Sequence, residues 1–274
     1  MTETRNEHRL TMESAASGNP WGCRIDSVGV KLPAQRLTTR DLMSRTSHRT
    51  RIQLERLTGI HERHVVGPGE NSFTLAAGAA RDCLAHLQHQ PQDIQMLIST
   101  SIIRSKGRYT QSFEPPLSLY VKQAIGAAQA ANFDLSNACA GMLTGVFVLQ
   151  DLVARGEISC GMVVSGEYIS HLSWNAARQI RSLFSKQLAS LTLGDAGAAV
   201  IVERAPSGSG LDVIGLPPSP STAGCASPSP ARWVRALRCT PSPGRCRKWR
   251  SMTWRRWWPR RSAKPESTWP TSIS

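Results

Sequence analysis

Aliphatic side chains run out at residue 217. From there to residue 274 the chain holds only Val234, Leu237 and Ile273 of that type, yet it gathers six of the eight Trp, ten of the 17 Pro and 12 of the 33 Lys and Arg, against the single acid Glu266. Such a stretch removes too little apolar surface from water to offset the entropy of ordering it. Any core must therefore come from the roughly 200 residues ahead of it, enough for one large domain. The formal charge of +14 also belongs to the tail, because the remainder carries 21 basic and 18 acidic residues. The segment "CRKWRSMTWRRWWPRR", with Arg between Trp, is the one feature suited to phosphates and stacked bases; the nearly neutral body gives no sign of a nucleic-acid partner.

The first residues, "MTETRNEHRLTMESAASGNP", contain acids and no apolar run, so residues 1–21 are expected to be a disordered leader rather than a secretory signal. No apolar stretch reaches the length of a membrane span. The body's cysteines, Cys23, Cys83, Cys139 and Cys160, form no C-x-x-C pair, and Cys225, Cys239 and Cys246 lack zinc-ligand spacing, which predicts reduced thiols and a cytoplasmic protein with no metal.

Along the body, strand and helix patterns alternate. "CRIDSVGVKLP" is expected to be a strand ending at Pro33, and "TRDLMSRT" a helix capped by Thr39. "NSFTLAAGAARDCLAHL" predicts a helix capped by Asn71 or Ser72, with Leu75, Ala79 and Cys83 on one face. "DIQMLISTSI" and "CGMVVSGEYIS" predict buried strands, "PPLSLYVKQAIGA" a helix opened by prolines, and "SLTLGDAGAAVIVE" a turn into a strand. This order argues for an α/β fold around a central sheet.

Within "NFDLSNACAGMLTGVF", Phe133 and Leu135 alternate with polar neighbours, whereas Met142, Val146, Leu149 and Val153 recur at helical spacing. Cys139 thus falls where strand becomes helix. Free N–H groups and a partial positive charge at a helix start favour a thiolate, so Cys139 is either a nucleophile or a small buried apolar residue. Glu114 in "SFEPPLS" precedes a Pro-Pro turn, where loops present side chains; it is either a catalytic carboxylate or a solvated one. His61 and His64 in "HERH" are expected to be loop histidines, since the stretch is not H-E-x-x-H. No P-loop, G-x-G-x-x-G or G-x-S-x-G motif occurs.

"LTGIHERH", "FDLSNACAGM", "VVSGEYIS" and "TLGDAGAAVIVE" together resemble the successive signatures of the thiolase-fold condensing enzymes, in particular the β-ketoacyl-acyl carrier protein synthase III group. The resemblance covers roughly residues 22–216. It implies a layered αβαβα fold made of two similar halves, with residues 22–205 as the N-terminal half and 206–216 starting the other. It implies an acyltransferase of fatty acid or related lipid or polyketide biosynthesis, in which Cys139 accepts an acyl group from acyl-coenzyme A or an acyl carrier protein before a Claisen condensation. A homodimer with no permanently bound cofactor follows from the same resemblance.

Two departures qualify it. The family's coenzyme A contacts include a Trp, here replaced by Gln53, and an Arg, for which Arg56 stands one place away. "SFEPPLS" looks instead like the loop of the long-chain acyl-coenzyme A thiolases of olefin synthesis, where a Glu-Pro glutamate acts as base across the dimer; that role passes to Glu114. The family also completes its site with a His and an Asn from its C-terminal half, whereas this chain has no histidine after His171. Its Arg, Pro, Ala and Trp content makes residues 217–274 read as coding DNA translated out of frame. In the shifted frame Trp257 with Trp258 encodes Val, and Met252 with Thr253 encodes Asp. A frame change near codons 215 to 222 is therefore expected, leaving this chain inactive; the nucleotide sequence checks it. The competing readings are a non-catalytic partner subunit and a nucleic-acid binder acting through the tail.

Overall fold

The computed structural model describes residues 21–46, 52–86, 89–107, 110–181, 185, 187–206 and 211. Residues 1–20 of the leader, the basic tail and most of the segment 206–216 lie outside the described residues, whereas Trp21, expected in the leader, is part of β1. In chain order the elements are β1 (Trp21–Lys31), β2 (Gln35–Thr38), α1 (Thr39–Ser44), α2 (Leu54–Thr58), β3 (Glu62–Val65), α3 (Ser72–Ala85), β4 (Met96–Ser99), β5 (Ser105–Gly107), β6 (Thr110–Gln111), α4 (Leu117–Ile125), β7 (Ala131–Asp134), α5 (Gly141–Ala154), β8 (Cys160–Glu167), α6 (Ser170–Gln179) and β9 (Ala196–Pro206). β1 begins at Trp21, two residues before the strand expected from Cys23, and ends at Lys31.

Five strands form the central sheet in the order β1-β9-β8-β4-β7. β4 runs parallel to β7 and β8, while β9 is antiparallel to both β8 and β1. One face is covered by α3 and α4, whose Phe73, Ala76, Ala80, Leu117 and Val121 pack on Leu97, Met162, Val164 and Ile201. The other is covered by α5, whose Val146, Leu149 and Val153 meet Ile98, Val163 and Val202. These are three layers of the αβαβα arrangement. A satellite cluster joins β2, α1, β3 and α6 through Leu37, Leu42, Val65, Ala176 and Leu191.

The helices begin where side chains can satisfy their free N–H groups. Asn71 Oδ1 accepts from Phe73 and Thr74 at 2.9 and 3.0 Å, and Thr74 Oγ1 accepts from the Asn71 N–H at 2.8 Å, a reciprocal cap for α3. α1 is capped by Thr38 rather than Thr39: Thr38 Oγ1 accepts from Asp41 N at 3.0 Å, while Thr39 already bonds to the Ile60 carbonyl. His64 lies on β3 instead of in a loop, paired with Arg36, with Nδ1 at 2.7 Å from the Pro33 carbonyl.

α3 lies on the sheet with almost no gap. A Cβ at Gly29, Gly166 or Gly197 would come within 2.2 Å of Cys83 N, 2.0 Å of Ser72 O or 2.2 Å of Leu75 O. Three glycines on β1, β8 and β9 thus form the bed of the helix. At the start of β9, the buried Asp195 closes another junction. Its Oδ1 accepts from Ile169 and Ser170 N–H, both at 2.7 Å, and its Oδ2 from Val66 N–H at 2.9 Å. The "GDAG" stretch is therefore a structural clasp between the ends of β3 and β8.

Candidate active site around Cys139

The parallel strands β4, β7 and β8 end together, and the chain segments that leave them meet there. Gly141 and Gly145, one turn apart on α5, let its first turns sit close to this edge. A Cβ at Gly141 would lie 3.1 Å from Thr100 O, and one at Gly145 would lie 2.7 Å from a Val163 methyl. Crevices at the carboxyl ends of parallel strands are the usual ligand positions of α/β sheets.

Cys139 stands in the connection from β7 to α5, within a short 3₁₀ turn over Ala138–Ala140, and is exposed. Its neighbour Ala138 has φ of 43°, a left-handed backbone that costs a residue with a Cβ about 1 kcal/mol or more. That turn swings the chain sharply so that Cys139 is presented at the tip before α5 begins. Asn137 donates to Thr144 Oγ1 at 2.7 Å and Thr144 donates to the Ala140 carbonyl at 2.9 Å, tying the tip to the first turn of the helix. Cys23, Cys83 and Cys160 are buried, and burial pushes Cys23 up to about 11 and Cys160 up to about 12. Among the described residues, Cys139 is the one exposed thiol and the one placed to meet a substrate.

The Glu114 loop is fastened to the same end of the sheet. Asp134 ends β7 five residues before Cys139 and accepts from the N–H groups of Leu117 and Ser118 at 3.1 and 2.9 Å, capping α4 immediately after that loop. The Arg104 guanidinium lies 2.8 Å from Asp134 and over the Phe113 ring at 5.7 Å. Glu114 itself is exposed. Arg56, exposed in the last turn of α2, belongs to the satellite layer and is not brought to Cys139.

Sequence reasoning missed Glu167 at the end of β8. Its carboxylate accepts from Ile102 N at 2.6 Å and Ile103 N at 3.2 Å, and so holds the segment leaving β4. Burial pushes its pKa up to about 7, against the pull of those two N–H bonds. The signal was in "VVSGEYIS", an acid closing an apolar strand. The folded state holds this proton more tightly than the unfolded chain does. The resulting stability is complete below the ordinary glutamate value of 4.5 and is lost as pH rises through about 7. Urea melts of the protein and of Glu167→Gln should therefore diverge, with the wild type losing up to about 1.4 kcal/mol per pH unit relative to the variant between pH 5 and 7. A constant difference across that range would contradict the assignment.

Residues 133–216 match the family described as 3-oxoacyl-[acyl-carrier-protein] synthase III. The β-ketoacyl-[acyl-carrier-protein] synthase III of Symbiobacterium thermophilum is 32% identical over 192 residues, 68% of this chain and 52% of that protein. Synthase III 2 of Streptomyces coelicolor is 27% identical over 75% of this chain and 61% of its own length. Among solved structures, a variant of Xanthomonas campestris OleA aligns with a TM-score of 0.58 at 26% identity, over 67% of this chain and 56% of that one. A priming β-ketosynthase of a polyketide biosynthetic pathway aligns with a TM-score of 0.56 at 25% identity, over 69% and 51%. The chain spans about half the length of the first of these curated relatives.

Proposed function

We propose, from the premise that the chain belongs to the 3-oxoacyl-[acyl-carrier-protein] synthase III family of thiolase-fold condensing enzymes, that Cys139 takes an acyl group from a coenzyme A or carrier-protein thioester. The observation that carries this reading is the exposed thiol on a left-handed turn at the start of α5. A thiolate adds to the thioester carbonyl, the new S–C bond forms, and the old C–S bond breaks. The departing thiolate takes up the proton that the cysteine released, so no redox partner and no permanently bound cofactor are needed. Peptide N–H groups at the turn hold the oxyanion of the intermediate.

Condensation is the second half of the reaction: a carbon nucleophile displaces Cys139 and forms a carbon-carbon bond. The family's His and Asn, which serve that half, have no counterpart here, since no histidine follows His171. A frame change near codons 215 to 222 is proposed as the reason this sequence carries no such histidine, which would leave the chain unable to condense and acylation of Cys139 as the step to test. Glu114 is proposed as the base and Arg56 as the contact to the coenzyme A phosphates. A homodimer supports the role of Glu114, because Phe113, Phe133 and Leu143 leave apolar surface exposed on the Glu114 loop, the edge strand β7 and α5. The four unpaired thiols among the described residues favour the cytoplasm as its place.

Incubation with radiolabelled acyl-coenzyme A is expected to give one hydroxylamine-labile adduct on the Cys139 peptide, and Cys139→Ala is expected to label only at background. Equal labelling of Cys139→Ala would remove the nucleophile assignment.

A further inference from the structure

At the opposite end of the sheet from Cys139, three side chains converge that play no part in that chemistry. Asp26, His89 and Glu203 each offer a ligand atom, and those atoms all lie within 4.8 Å of one another. We propose that they form a binding site for one divalent transition-metal ion, with Zn²⁺ the best match to the donor set.

The backbone builds this cluster. Residues opposite one another in β1 and β9 pair as Ile25↔Val202 and Ser27↔Ile201, which leaves Asp26 as the extra residue of a β-bulge. A bulge turns two successive side chains toward the same side of the sheet. Ser27 bonds to the Cys83 carbonyl at the end of α3, so Asp26 is aimed at the same end of that helix, where His89 follows. Glu203 faces the pair from β9, the neighbouring strand.

Each carboxylate divides its oxygens between two partners. Arg24 holds Glu203 through Oε1 at 2.6 Å and Asp26 through Oδ1 at 3.3 Å. The remaining oxygens turn inward: His89 Nε2 lies 2.6 Å from Glu203 Oε2 and 3.3 Å from Asp26 Oδ2. On the other side of the ring, Asp93 stands 3.8 Å from Nδ1, its own carboxylate anchored by Gln90 N–H at 2.7 Å. The outer atoms of the ligands are thus held by Arg24 and faced by Asp93, the support that metal-binding imidazoles and carboxylates usually receive.

The dimensions suit a small ion. Four ligands at about 2.0 Å in a tetrahedron are separated by about 3.3 Å along its edges. The Asp26–His89 separation already has that value, and the Glu203–His89 pair must open by well under an ångström. One imidazole and two carboxylates suit Zn²⁺ or Co²⁺ better than Ca²⁺ or Mg²⁺, which prefer oxygen alone. The ligand side chains are 12 to 23% exposed, so water can supply the fourth position. The ion would join β1, β9 and the turn after α3, three segments far apart in sequence, and would stabilise only the folded state.

The alternative occupant of the cleft is a proton on His89 Nε2, and the test separates the two. The 274-residue chain, stripped with EDTA, is titrated with Co²⁺ and read by visible absorption, then with Zn²⁺ in competition. One equivalent of Co²⁺ should bind with nitrogen and oxygen ligand-field bands, without the near-ultraviolet band of a cobalt thiolate, and Zn²⁺ should displace it. Glu203→Gln and His89→Gln should each weaken binding at least about 100-fold, and Asp93→Asn about 10- to 100-fold. His86→Gln should leave it unchanged. Asp93→Asn removes no ligand, so it keeps the comparison decisive should His89→Gln fail to fold. Absence of binding, a thiolate band, or wild-type affinity in Asp93→Asn or Glu203→Gln would overturn the proposal.

Discussion

Gly197→Ala will lower the stability of the fold by about 3 kcal/mol or more, read as the shift of a urea melt, and acylation of Cys139 will fall with it. The added methyl would stand 2.2 Å from the Leu75 carbonyl oxygen and 2.6 Å from its carbon, both backbone atoms of α3 that no rotamer change can move. Accommodation requires the helix to rise off the sheet, which opens contacts along Ala76, Ala79 and Ala80. Gly107→Ala is the control. Among the described residues its methyl would meet nothing nearer than Thr110 Oγ1 at 3.9 Å, and the variant should stay within about 0.5 kcal/mol of the parent. Equal melts for the two variants would show that α3 does not rest on β9 as described.

The second large loss is expected at Asp195. Removing its carboxylate strands three backbone N–H groups, on Val66, Ile169 and Ser170, at a buried position. Each buried donor left without a partner costs about 1 to 3 kcal/mol, so Asp195→Ala should destabilise by about 4 kcal/mol. Asp195→Asn keeps one carbonyl oxygen and should lose less, because Oδ1 alone serves two of the three donors. An alanine variant within about 1 kcal/mol of wild type would mean that water or a shifted backbone replaces the carboxylate.

The elements legible in the sequence are those whose signal is local. The Asn71 cap, the 3.6-residue stripe of Leu75, Ala79 and Cys83, and the switch of period on either side of Cys139 each depend on neighbours a few residues away, and each is found in place. The left-handed φ of Ala138 was not legible, because nothing in an alanine announces it; the surrounding packing imposes it. The roles of Glu167 and Asp195 were not legible for a related reason. Their roles are set by backbone donors at residues 102, 103, 66, 169 and 170, brought near by the sheet order and not by spacing along the chain. The Asp26, His89 and Glu203 cluster is the extreme case: its ligands come from β1, a turn and β9, and no motif could join them. Assigning Thr39 as the α1 cap failed by one position, the ordinary uncertainty between two adjacent threonines.

The pairing of β1 with β9 has a consequence for how the protein is made. Trp21 lies opposite Pro206 and Lys31 opposite Gly197, so β1 leaves the ribosome and waits for a partner that is translated some 165 residues later. At about 5 to 20 residues per second that wait lasts on the order of 10 to 30 s. β4, β7 and β8 can align as parallel neighbours in the meantime, but one edge of β9 and the whole of β1 close only after synthesis has passed residue 206. Through that interval Cys23, Ile25, Val28 and Val30 have no sheet to join, which leaves β1 dependent on a chaperone until β9 arrives.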